Sequence, residues 1–162
     1  MKDSTKIAEA SLQQADYARI DSNNDDVIKY ARSAALKAAG GGNSEVEIRG
    51  YHLWGRALRE KGKFPEARQR LDSAVALARA AKNGELEARV LCDIGLIYMY
   101  QADYSAALDL YLDAQKLFEG VNSPRGEINC LANLGQIFYE QGDYSAAQRY
   151  HKRALEECNH IG

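Results

Sequence analysis

The chain has 162 residues, 46% of them hydrophobic, enough to bury the core of one domain without disulfides or metals. Its formal net charge of -2 excludes a surface tuned throughout to neutralise phosphates, so nucleic acid is not an expected partner. Only two prolines occur, while alanine, leucine, glutamine and tyrosine are frequent, which favours an all-α chain over a sheet.

No apolar run follows Met1, Lys2, Asp3, Ser4 and Thr5, and no stretch approaches the 18 apolar residues of a membrane span. A cytoplasmic location with no membrane partner is expected. The three cysteines, Cys92, Cys130 and Cys158, are odd in number and widely spaced, with no CxxC pair. Neither a disulfide framework nor a zinc site is indicated, which fits a reducing compartment.

Four two-helix units are predicted in chain order. The first, residues 1–43, keeps the small slots of the later units at Ser11, Gln14, Ala15, Ala18, Val27, Ala31 and Ala34, but its large apolar slots have become polar. It reads as a degenerate N-terminal cap, since terminal repeats turn one face to water. Gly40, Gly41, Gly42 and Asn43 supply a flexible joint to the second unit, residues 44–83. There Tyr51, Trp54, Gly55, Leu58, Phe64, Ala67, Leu71 and Ala74 fill the repeating slots. Ala67, Leu71, Ala74, Ala78 and Ala81 step by four, three, four and three along one helical face.

The third and fourth units, residues 84–123 and 124–162, carry the clearest signal. Asp103 to Ala107 (DYSAA) recur letter for letter at Asp143 to Ala147, an offset of 40. The same offset aligns Leu91, Ile94, Gly95 and Tyr98 with Leu131, Leu134, Gly135 and Phe138, and Tyr111 and Ala114 with His151 and Ala154. Gly62 and Gly142 set the hairpin turns, Pro65 suits the first turn of a helix, and Ser105 and Ser145 are candidate caps. Tyr98, Tyr104, Tyr111, Tyr144 and His151 fall in core slots. The chain is expected to be a fragment of a longer protein, because His160, Ile161 and Gly162 look like a link into another unit; end-to-end packing of two copies is the alternative.

Gly55, Gly95 and Gly135 lie inside predicted helices, where glycine costs about 1 kcal/mol relative to alanine. Their recurrence at one slot implies close helix packing, expected against Ala67, Ala107 and Ala147. A large side chain at Gly95 should therefore overpack the fold.

These slots, written L-x-x-[WIL]-G-x-x-[LYF] and then Gly-[Lys/Asp]-[Phe/Tyr]-x-x-Ala, resemble the tetratricopeptide repeat over residues 44–162 and only weakly over 1–43. The usual unit has about 34 residues, and the 40-residue form is similar to Pins/LGN-like scaffolds, kinesin light chain and bacterial Rap and PlcR regulators. The resemblance implies a right-handed α-solenoid that forms one continuous domain and binds protein or peptide partners in a concave groove lined by the first helix of each unit.

By slot, the groove candidates are Arg49, His52, Arg56 and Arg59; then Arg89, Cys92, Asp93, Leu96 and Met99; then Asn129, Asn133, Gln136 and Tyr139. Asn133 matches the groove asparagine of Pins-like repeats, whereas Asp93 departs from that pattern one unit earlier. A chaperone-type carboxylate clamp needs lysine and asparagine at slots held here by His52, Cys92 and Ala132, and by Arg56, Leu96 and Gln136, so that receptor class is rejected. Arginine suits bidentate recognition of carboxylate or phosphate, which points to an acidic or phosphorylated segment; solvated surface charge is the plainer reading of the same residues. Asn129, Asn133 and Gln136 could clasp a peptide backbone, and Met99, Tyr100 and Tyr139 could anchor an apolar side chain.

No GxxxxGK, HExxH or GxSxG string occurs, and no aspartate or cysteine is spaced to form a dyad with His52. The expectation is a non-enzymatic scaffold or signalling regulator without cofactor or metal, with homodimerisation through an uncapped terminal repeat as the alternative.

Overall fold

The computed structural model describes residues 2–39 and 42–161, so Gly40 and Gly41 of the expected joint lie outside the described residues. Among the described residues there are eight helices and no strand. They are α1 (Lys2–Ile20), α2 (Asn24–Ala39), α3 (Ser44–Glu60), α4 (Phe64–Ala80), α5 (Gly84–Tyr100), α6 (Tyr104–Gly120), α7 (Pro124–Glu140) and α8 (Tyr144–Ile161). The all-α class is as expected, and the chain falls into two compact units, residues 1–86 and 87–162.

A period finer than the 40-residue repeat governs the backbone. Ser22, Gly42, Gly62, Lys82, Ala102, Asn122 and Gly142 all have positive φ, between +52° and +80°, one every twentieth residue. At six of these turns, all but that of Gly42, the same pair of backbone hydrogen bonds ends the helix. After α3, Gly62 N–H donates to Arg59 C=O at 2.8 Å and Lys63 N–H to Leu58 C=O at 2.9 Å. After α5, Ala102 and Asp103 repeat the pattern onto Met99 and Tyr98 at 3.0 and 2.9 Å. This is the double bond of a Schellman ending, which satisfies carbonyls the helix leaves open.

The residue after each left-handed position stands at the boundary of the next helix, and at all but Lys63 and Ser123 its side chain caps that helix. Asn23, Asn43, Asn83, Asp103 and Asp143 each accept from the backbone N–H three residues on, at 2.9 to 3.3 Å. The caps of α6 and α8 are therefore Asp103 and Asp143, and Ser105 and Ser145, expected in that role, sit one residue inside the helices. The aspartates win because only a residue at the non-helical boundary can turn its side-chain oxygen onto the free amides. Lys63 makes no such bond, and Pro65 stands in the first turn of α4, where a missing N–H costs nothing.

In the first unit, Ala8, Leu12, Ala15 and Ala18 of α1 meet Val27, Ala31, Ala34 and Ala38 of α2 and Val46, Leu53 and Ala57 of α3 in one buried cluster. Small residues dominate it, and the backbones close up accordingly: a Cβ on Gly50 would lie 2.7 Å from the backbone nitrogen of Ala35. On α4 the buried stripe runs through Ala67, Leu71, Ala74 and Ala78 and stops there, since Ala81 is the exposed C-cap.

The three repeating glycines do mark close packing, but against a different residue from the expected alanines. A Cβ on Gly95 would lie 3.0 Å from the Tyr111 ring, one on Gly135 2.7 Å from the His151 ring, and one on Gly55 2.7 Å from Leu71 Cγ, with Ala67 contributing only its carbonyl at 3.1 Å. The large side chain one helical turn beyond the alanine lies flat over the glycine, and the missing β-carbon is the space it occupies.

In the second unit, Tyr111, Ala107, Ala114 and Phe118 of α6 are buried, together with Leu131, Leu134 and Ile137 of α7. The other expected core residues are not fully buried: Tyr98 and Tyr104 are half-buried, Tyr144 is 65% exposed and His151 is also exposed. Tyr111 lies on a helix that α7 packs against, whereas over residues 148–160 of α8 only Tyr150 is half-buried and Ala154 buried.

Candidate functional site

The expected contact residues fall into two sets, one in each compact unit. In the first, Arg49, His52, Arg56 and Arg59 recur at intervals of three and four residues, which places them in one row along α3. Arg49 Nη2 donates to Asp16 Oδ2 of α1 at 3.1 Å, and Arg19 Nε stands 3.8 Å from the other oxygen of that carboxylate. Arg56 Nε donates to Glu60 Oε1 at 3.1 Å, and Arg59 Nη2 lies 3.6 Å from the same oxygen. The row is thus cationic but already engaged by two carboxylates, of which only Glu60 is local in sequence.

Arg56 and Glu60 line a slight surface dip with Arg19, Asn24, Val27, Leu53 and Ala57, too shallow to enclose a water molecule. Its lining sets the apolar Val27, Leu53 and Ala57 beside the charged Arg19, Arg56 and Glu60. Nearby, Lys61 pairs with Asp25, whose carboxyl is held below its ordinary value by the hydrogen bond and the charge of that lysine. That contribution is present above the ordinary carboxylate range and lost as pH falls through the lowered value.

A second cationic cluster was not singled out from the sequence. The Arg70 guanidinium lies 4.3 Å from the centre of the Trp54 ring and that of Arg32 5.7 Å away, with Tyr51 stacked beside Trp54 at 6.1 Å. These residues come from α2, α3 and α4. Trp54 stood out only as a repeat slot, and nothing in the spacing of Arg32 and Arg70 announced that both would reach it.

In the second unit, Arg89, Asn129, Gln136 and Tyr139 are exposed and Cys92, Leu96, Met99 and Asn133 half-buried. Gln136 Nε2 donates to Glu140 Oε1 at 2.6 Å. Tyr139 meets the edge of Tyr144 with ring centres 5.4 Å apart, so the two exposed rings form one aromatic surface. Arg59 and Asp93, expected among the contact residues, are each only 8% exposed, which leaves a ligand little of them to touch.

The structure also joins two residues that the sequence reading kept apart. Cys92 on α5 and Cys130 on α7 are free thiols with their sulfurs 3.5 Å apart. Hydrogen bonding to Cys130, then burial, push the Cys92 thiol up from its ordinary value. The two cysteines are 38 residues apart, two short of the repeat, so they occupy different slots and no alignment of the units pairs them. Among the described residues no group of three or more His, Cys, Asp or Glu is gathered as a metal site, and no helix is long and apolar enough to cross a membrane.

The sequence model described as "Tetratricopeptide repeat" matches residues 46–120 and 86–156. A search of curated protein sequences found no match. Among solved structures, aspartyl phosphate phosphatase F from Bacillus subtilis is similar with a TM-score of 0.91 and 21% identity, over 100% of this chain and 43% of that one. A Rap protein complexed with Competence and Sporulation Factor is similar at 0.89 and 18%, over 98% of this chain and 44% of that one. The nearly identical TPR-like repeats of a kinesin light chain from Podosopora anserina are similar at 0.74 and 14%, over 96% and 76%. The chain spans under half the length of the first two, and at these identities the likeness is one of fold.

Proposed function

The chain belongs to the tetratricopeptide-repeat family, and from that premise we propose that it is a regulatory or scaffold module whose α3 row takes an acidic or phosphorylated protein segment. The family and fold support a protein–protein interaction module, and the Rap complex with Competence and Sporulation Factor supports a binding role for such a fold. The observation that carries the acidic preference is the row of Arg49, His52 and Arg56 beside the dip that Arg56 and Arg19 line. Within the second unit, Arg89, Met99, Asn129, Asn133, Gln136 and Tyr139 are proposed as a contact set of its own.

The carboxylates already on the row do not close it to a ligand. The Arg56–Glu60 pair is an exposed i,i+4 pair, and such pairs are worth less than about 1 kcal/mol. A phosphoryl group brings a charge of about −1.5 to −2 and three acceptor oxygens, so it competes well for a guanidinium held that loosely. Action is by binding; the phosphatase named among the similar structures does not carry its chemistry to this chain through fold alone.

The test is a titration of acidic, phosphorylated, neutral and basic labelled peptides with the wild-type chain and with Arg56→Glu, matched for melting temperature. Acidic or phosphorylated peptides should bind best, with an affinity that falls as salt rises, and Arg56→Glu should weaken them about tenfold or more. Equal binding of acidic and neutral peptides would remove the proposed specificity. No peptide binding, with a mass that grows with concentration in sedimentation, would favour the homodimer reading instead.

A further inference from the structure

We propose that Cys92 and Cys130 form a dithiol oxidation site at which a hydroperoxide joins α5 to α7 through a reversible disulfide. The two sulfurs, 3.5 Å apart, are already in contact, and bond formation needs them to close to about 2.05 Å. Cys130 is fully buried, so no oxidant meets it directly, while Cys92 is partly exposed. The roles divide accordingly: Cys92 meets the oxidant and Cys130 resolves the product.

In the first step the Cys92 sulfur attacks the peroxide, the O–O bond breaks, an S–O bond forms, and the departing oxygen leaves as water with the thiol proton. In the second, the Cys130 sulfur attacks the sulfenic sulfur, the S–O bond breaks and a second water leaves. Two thiols and one hydrogen peroxide thus give one disulfide and two waters, and a dithiol reductant reverses the change. The hydrogen bond with Cys130, then burial, disfavour the Cys92 thiolate, which is the attacking species, and this slows the first step. The bond would tie together the first helices of two successive repeats and restrict the unfolded chain between them.

The experiment uses the Cys158→Ser chain, which removes the exposed thiol that could link two molecules. After treatment with hydrogen peroxide, both remaining thiols should be lost to a thiol reagent in denaturant. The intact mass should fall by two hydrogens, and a peptide linking Cys92 to Cys130 should be recovered and released by dithiothreitol. Persistence of both thiols, or Cys92 carried to sulfinic or sulfonic acid without a link, would overturn the proposal. A second variant adds Cys130→Ala and must accumulate the Cys92 sulfenic acid as a dimedone adduct. Equal trapping with and without Cys130 would deny its resolving role.

Discussion

Helices α6 and α8 begin with the same five letters, counting the cap, and end differently. Each is capped by an aspartate and each lays a side chain over the glycine of the helix before it. Beyond that shared start, Leu108, Tyr111, Leu112, Leu117 and Phe118 of α6 correspond to Gln148, His151, Lys152, Glu157 and Cys158 of α8, all of the latter exposed. The difference teaches that cap and turn decide whether a helix forms, while the neighbour on its far side decides which residues it can carry. Packed against α7, α6 has an apolar flank, whereas the flank of α8 is polar and exposed.

Truncation at the equivalent slots should separate the two helices most. Tyr111→Ala empties a fully buried site and should cost about 3 kcal/mol or more, whereas His151→Ala should stay within about 0.5 kcal/mol, both read by chemical denaturation. Similar losses would mean that α8 is as deeply packed as α6. The glycines beneath these residues should differ even in sign. Gly95→Leu forces the Tyr111 ring against its buried surroundings and should destabilise by about 1–3 kcal/mol; Gly135→Ala asks only that the exposed His151 ring swing aside, so helix propensity should make it neutral or stabilising by up to about 1 kcal/mol. An unchanged melting temperature for Gly95→Leu would sink the packing account. The smallest contrast is expected at the caps, where Asp103→Ala and Asp143→Ala should each lose about 1 kcal/mol. A clear inequality there would show that burial reaches into the capping itself.

The 40-residue repeat was legible because Gly95, Gly135 and the DYSAA string are spelled in letters. The 20-residue period beneath it was not, because it is written in torsion angles: Ser22, Lys82, Ala102 and Asn122 adopt the same left-handed turn as Gly62 and Gly142. Alanine in that conformation costs roughly 1–2 kcal/mol, and the Schellman hydrogen bonds around it offset the strain. The caps could have exposed the period, since Asn23, Asn43, Asn83, Asp103 and Asp143 share a chemistry without sharing an identity.

At the candidate site the α3 row was readable from its spacing, and its partner Glu60 lay within one turn. Asp16 was not readable as a partner of Arg49, because it comes from another helix 33 residues away. Burial of Arg59 and Asp93, and the meeting of Cys92 with Cys130, depend on how neighbouring helices slide past one another. Residue identity at a slot does not encode that offset.

The packing within each unit has a consequence for how the molecule comes together in time. Among the described contacts a helix touches the next one, or at most the next but one, as α1 does α3. Loops closed by such contacts are short, so the entropy lost before the first favourable contact forms is small. Chains of this low contact order collapse to their native pairing in microseconds to milliseconds, and hairpins can open and reclose without waiting for distant partners. A surface built this way can yield locally to an incoming segment while the rest of the chain keeps its shape.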